Sequence, residues 1–123
     1  MTTTLALASC ATSNLIGPSN QLEVNNAVDD FQFQVSNLDR IVQTLTYTWE
    51  CTGQQATIDI SESITVGSAI LTIRDDAGTT VHQEDLAQDN DTDTAVGAAG
   101  NWIIEVKFEG TSGTVNFRVQ KKT

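Results

Sequence analysis

Five consecutive residues, Asp89-Asn90-Asp91-Thr92-Asp93, place three carboxylates at alternate positions in a polar stretch. Alternating oxygen ligands in a flexible loop are what calcium prefers. An EF-hand loop would also carry glycine at its sixth position and glutamate at its twelfth. Thr94 and Gly100 stand there, so that motif is excluded. Two readings stay open: a calcium site of another geometry built on Asp89, Asp91 and Asp93, or a solvated acidic loop. A hydrolytic triad needs a nucleophile, a base and an orienting group within reach. The single histidine, His82, beside acidic residues reads instead as a surface strand residue. Carboxylate pairs for glycoside hydrolysis can be composed from Glu84, Asp85, Glu105 and Glu109, but any acidic β domain offers such pairs. No enzymatic constellation is therefore expected.

The two cysteines, Cys10 and Cys51, have no C-x-x-C spacing, which excludes a structural zinc site. Cys51 follows Trp49 on the apolar phase of an alternating segment and reads as a buried thiol packing like a small hydrophobe. The alternative is a Cys10 to Cys51 disulfide in an oxidising compartment. Six basic side chains against sixteen acidic ones give a net charge of −10, which repels phosphates and makes nucleic acid an unsuitable partner. No glycine-rich phosphate loop and no apolar stretch of membrane-spanning length occurs.

The elements that must position these residues are strands. From Gln21 onward, runs of five to eight residues carry apolar side chains at every second position, bounded by Gly, Asn, Asp or Ser. Leu22 and Val24 begin the series, and Phe31, Phe33 and Val35 follow with Gln32 and Gln34 facing the other way. Leu45, Tyr47, Trp49 and Cys51 alternate with Thr44, Thr46, Thr48 and Glu50, the cleanest period of two in the chain. Ala56, Ile58 and Ile60 form the next inward row, then Ala69, Leu71 and Ile73. Asp75-Asp76-Ala77-Gly78 is a tight turn before a strand over Val81 to Leu86. Trp102 to Phe108 and Val115 to Val119, separated by Gly110 to Gly113, read as a hairpin. About eight strands and almost no helix predict an all-β, antiparallel, jelly-roll-like β-sandwich. Its core would hold Phe31, Phe33, Leu45, Tyr47, Trp49, Ile58, Leu71, Ile73, Trp102, Ile104, Phe117 and Val119.

Upstream, Leu5 to Cys10 is apolar and Ala11 to Gln21 is polar and loop-like, with Gly17 and Pro18 as breakers. The tetrad Leu7-Ala8-Ser9-Cys10 resembles the lipobox of bacterial lipoproteins. That resemblance implies lipidation of Cys10, a membrane as partner through the anchor, and a cell-envelope address. Residues 1–20 are then a signal or lipobox remnant with a flexible arm, and 21–123 the β-sandwich.

The second half, Ala69 to Gly78, Gly100 to Val106 and Ser112 to Val119, resembles the bacterial pre-peptidase C-terminal domain, with Asp30-Phe31-Gln32-Phe33 at that family's first strand. The resemblance implies a jelly-roll-like sandwich serving secretion, adhesion or surface attachment. The expected function is a non-catalytic binding or adhesion module, lipid-anchored in the envelope or secreted, with a protein or glycan ligand. Two alternatives are a subunit of an extracellular assembly, its Leu5 to Gln21 arm adding a strand to a neighbour's sheet, and a calcium-stabilised carbohydrate- or protein-binding domain.

Overall fold

A computed structural model describes residues 14–88 and 91–122. Among the described residues, six antiparallel strands make one sheet: β1 (Glu23–Ala27), β2 (Asp30–Cys51), β3 (Ala56–Arg74), β4 (Thr80–Asp85), β5 (Thr92–Asp93) and β6 (Gly100–Lys121). Their order is β1-β2-β6-β3-β4, with β5 against β3. Among the described residues the helical elements are two short 3₁₀ turns, Pro18–Asn20 and Leu86–Gln88. The all-β, antiparallel, sandwich-like reading is the observed fold class.

The strand count differs from expectation in an instructive way. Phe31 to Val35 and Leu45 to Cys51 are two halves of β2; Ala56 to Ile60 and Ala69 to Ile73 are two halves of β3. Trp102 to Phe108 and Val115 to Val119 do not form a hairpin, because the chain runs straight through Gly110–Gly113 as β6. The glycines that read as turn signals are bulge positions inside continuous strands.

Each long strand bends midway. Register shifts interrupt β2 between Val35 and Val42 and β3 between Ile64 and Ser68. Asn37, Arg40, Gly67, Gly110 and Gly113 adopt positive φ in the same zone. Phe31 and Tyr47 lie sixteen positions apart on β2, a distance of about 50 Å along a straight strand, yet their ring centroids are 5.4 Å apart. The sheet therefore doubles over, and its two halves face each other.

Aromatic rings fill the space between the halves. Phe33 stacks on Phe117 at 5.0 Å and approaches Phe108 at 6.4 Å. Trp49 and Trp102 meet edge to face at 5.9 Å, an arrangement that rings favour over a sandwich stack. Both indoles are fully buried, and their Nε1 groups donate to the carbonyls of Ala27 and Ala98. Of the twelve expected core residues, ten are buried, whereas Leu45 and Tyr47 are only partly covered.

Two aspartates secure the ends of the doubled sheet. Asp29, at φ 64 in the β1–β2 turn, accepts from the backbone and hydroxyl of Thr52 and pairs with Lys121. Asp75 accepts from the Ala98, Thr79 and Ala77 amides, while Gly78 closes the turn at φ 83. The Ala98 and Thr79 amides hold the Asp75 carboxyl below the usual aspartate range.

A Cβ on Gly113 would strike the Ser63 carbonyl, and φ there is 124°. Gly113→Ala is expected to lose roughly 1–3 kcal/mol or more in urea unfolding, whereas Gly17→Ala, which meets nothing, stays within about 0.5 kcal/mol. A carboxyl with a lowered folded pKa stabilises fully above its unfolded value, and that contribution is lost as pH falls through the lowered value. Asp75→Asn should therefore melt lower than the parent at neutral pH, with the gap closing as the pH falls below the usual aspartate range and through the lowered value, in thermal melts followed by circular dichroism.

Candidate functional site

The acidic stretch singled out in the sequence lies along β3. Asp91 Oδ1 accepts the Ile60 amide at 3.0 Å. Asp93 accepts the Thr57 hydroxyl at 2.8 Å and the Lys122 ammonium at 2.6 Å. The Lys122 contact, followed by that of Thr57, lowers the Asp93 pKa. Asp89 lies outside the described residues. Asp91 and Asp93 each have a protein partner and tie this segment to the sheet. Among the described residues, no group of three or more His, Cys, Asp and Glu is arranged to hold a metal ion.

His82 differs from its surface reading. It pairs laterally with the fully buried Ile73 on β3, which puts it on the core side of β4. Its Nε2 stands 2.6 Å from Glu84 Oε1, and both side chains are largely covered. Cys51 is free and buried, with its thiol 3.5 Å from the Gly53 carbonyl. Burial raises its pKa, so the unreactive thiol form prevails at neutral pH. The disulfide alternative is thus not the observed state; Cys10 itself lies outside the described residues.

A concavity sits elsewhere, on the outer face of the half-sheet formed by β1, the start of β2, the end of β6 and the start of β3. Strand register aligns Asn25, Gln32, Arg118 and Asp59 in one row across the four strands. Glu23, Gln34, Asn116 and Ser61 form the adjacent row. Together with Asp91 they line a groove of about 350 Å³, with Phe33, Ile60 and Phe117 contributing beneath.

The rows are organised around Arg118. Its Nε lies 3.8 Å from Asp30 Oδ1. With the Gln32 amide turned to satisfy both partners, the Gln32 oxygen accepts from the guanidinium at 2.6 Å. Asn116 Oδ1 is shielded and has no hydrogen-bond partner. The groove thus offers a forked cationic donor, several amides that both donate and accept, and the carboxylates of Glu23, Asp59 and Asp91. Such a set can orient a ligand rich in hydroxyl or amide groups. Three carboxylates around one guanidinium disfavour an anionic one.

Sequence reasoning placed Gln32 and Gln34 on the outward phase but missed this site. The available signal was the amide-rich outward phase at Asn25, Gln32, Gln34 and Asn116, where a merely solvated face more often carries charges. Only cross-strand register shows that these residues adjoin.

No protein-family model matches the chain, and no curated protein matches it. Among solved structures it is similar to a chain of the Glycosylation Associate Protein (Gap123) complex from Streptococcus agalactiae, at 12% identity and a TM-score of 0.42. That match covers 88% of this chain and 41% of the other, so the present chain spans less than half the length of that neighbour.

With Cys10 replaced by serine to leave one thiol, Cys51 should resist a water-soluble disulfide reagent in the native state and react fully in denaturant. Rapid native labelling would show that its corner of the core opens readily.

Proposed function

We propose that this chain is a non-catalytic binding module of the bacterial cell envelope or secreted fraction, and that it holds a neutral, hydroxyl-rich ligand of the carbohydrate class in the outer groove. The observation that carries this reading is the pair of polar rows, Asn25-Gln32-Arg118-Asp59 and Glu23-Gln34-Asn116-Ser61, lining a groove of about 350 Å³. Mixed donors and acceptors at fixed strand spacing suit vicinal hydroxyls, each of which both donates and accepts.

The groove lining holds no histidine or cysteine, and one of its carboxylates, Asp91, is engaged with the Ile60 amide. His82 is engaged with Glu84 on β4, in the other half of the sheet. The envelope address is supported by the lipobox-like Leu7-Ala8-Ser9-Cys10, and an adhesion role by the resemblance to the pre-peptidase C-terminal domain.

Glycan-array screening followed by titration calorimetry tests the ligand class. Arg118→Ala and Asn116→Ala should each weaken the selected glycan by about tenfold or more, near 1.4 kcal/mol, with unchanged circular dichroism. Full affinity in both variants would move the site off this groove. Intact-mass measurement of the protein expressed from its native locus tests the address: a product beginning at Cys10 with a diacylglycerol increment is expected, and an unmodified chain retaining residues 1–9 would remove the anchor.

A further inference from the structure

Donors and acceptors are ordered across the outer groove. Its carboxylates stand at the two flanks, Glu23 on β1 at one and Asp59 on β3 with Asp91 at the other. Between them, β2 and β6 contribute Gln32, Gln34, Asn116 and Arg118. An ionised carboxylate only accepts, a guanidinium only donates, and an amide does both. From β1 to β3 the groove therefore passes from an acceptor through a donor-bearing centre to further acceptors. Asn25 and Ser61, which accompany the carboxylates on the flanking strands, can do either.

The centre is held in place by its own strand neighbours. Gln32, the lateral partner of Arg118 on β2, accepts from Nε at 3.3 Å and Nη2 at 2.6 Å with its amide turned. Asp30, two residues earlier on the same strand, brings Oδ1 to 3.8 Å from Nε. A guanidinium carries more N–H groups than these contacts use, so Arg118 keeps donors for a ligand. Because the fork is already oriented, little of its freedom is lost on binding. At the β3 flank, Asp91 Oδ1 accepts the amide of Ile60, the residue after Asp59, which pins that carboxylate at the groove's end.

Strand geometry sets the dimensions. Four strands spaced about 4.8 Å apart put about 14 Å between the β1 and β3 flanks. Each interstrand step is close to the length of one pyranose unit in a linear 1,4-linked chain. The two polar rows are two residues apart along the strands, about 7 Å, and bracket one extended chain lying across them. A volume of about 350 Å³ is near the lower end for small-ligand sites, which suits a short, unbranched occupant.

We infer that the groove takes a neutral 1,4-linked oligosaccharide of about three pyranose units laid across β1, β2, β6 and β3, its middle over Arg118 and its end hydroxyls on Glu23 and Asp59. Ring and glycosidic oxygens carry no hydrogen and only accept, which matches the donor-bearing centre. Hydroxyls at the two ends of such a molecule donate, which matches the flanking carboxylates. Length and direction are thereby added to the carbohydrate reading of the groove, on which they rest.

Titration calorimetry on the full chain with glucose and N-acetylglucosamine oligomers of one to six 1,4-linked units tests this. In at least one series, affinity should rise about tenfold or more from one unit to three and stay level from four to six. Glu23→Ala and Asp59→Ala, both at exposed positions, should each bring the trisaccharide down to the affinity of the disaccharide with unchanged circular dichroism. Equal affinity for one unit and three, affinity still climbing at six, or a trisaccharide indifferent to both variants would overturn the inference. Binding that Arg118→Ala still weakens would in those cases keep the groove as a carbohydrate site. No binding in either series would also overturn the inference, and the carbohydrate reading falls with it only if the glycan array is silent too.

Discussion

Three strands of nineteen to twenty-two residues can enclose a core only if all of them bend at the same level. That shared bend is the constraint on which the rest depends. Gly67 and Gly110 approach so closely that a side chain on Gly67 would collide with the Gly110 backbone, and Gly113 is similarly crowded by Ser63. β6 lies between β2 and β3, so its bend cannot occur alone. The bulges on both flanks accommodate the tight inner path by changing residue count on the outer strands.

Once the sheet is doubled, residues of the same strand become partners across the core. Phe31 and Phe33 meet Tyr47, and Phe33 reaches Phe108. Burial of these rings at about 25 cal/mol per Å² of apolar area is the main favourable term. Trp49 and Trp102 add a polar requirement, since each buried indole N–H needs an acceptor, and the Ala27 and Ala98 carbonyls supply them. Those carbonyls sit beside the turns organised by Asp29 and Asp75. The core and the loop ends are thereby coupled.

Doubling also creates an outside. The outward phase of the first half-sheet collects amides around a single guanidinium, and the acidic 91–93 segment closes one side of the groove through Asp91. Asp91 has a second task, because the same carboxylate occupies the Ile60 amide on the edge of β3. Edge protection and ligand-face chemistry therefore share a residue. Along the second half of β2, Asn14 accepts the Val42 amide where the described chain begins.

Alternation by itself determined the fold class, the strand phase and most of the core, because a period of two leaves little choice about which side chains turn inward. It also identified the Asp75 to Gly78 turn, whose residue types answer to local backbone geometry. Whether a glycine ends a strand or bends it is not local. Gly110 and Gly113 read as a hairpin loop, and only pairing with β2 and β3 on both flanks made them part of one strand. The groove was equally hidden, since Asn25, Gln32, Arg118 and Asp59 are distant in sequence and adjacent only through register. Tertiary structure decided these features because hydrogen-bond register and close backbone approach are relations between strands, and no single strand's sequence contains them.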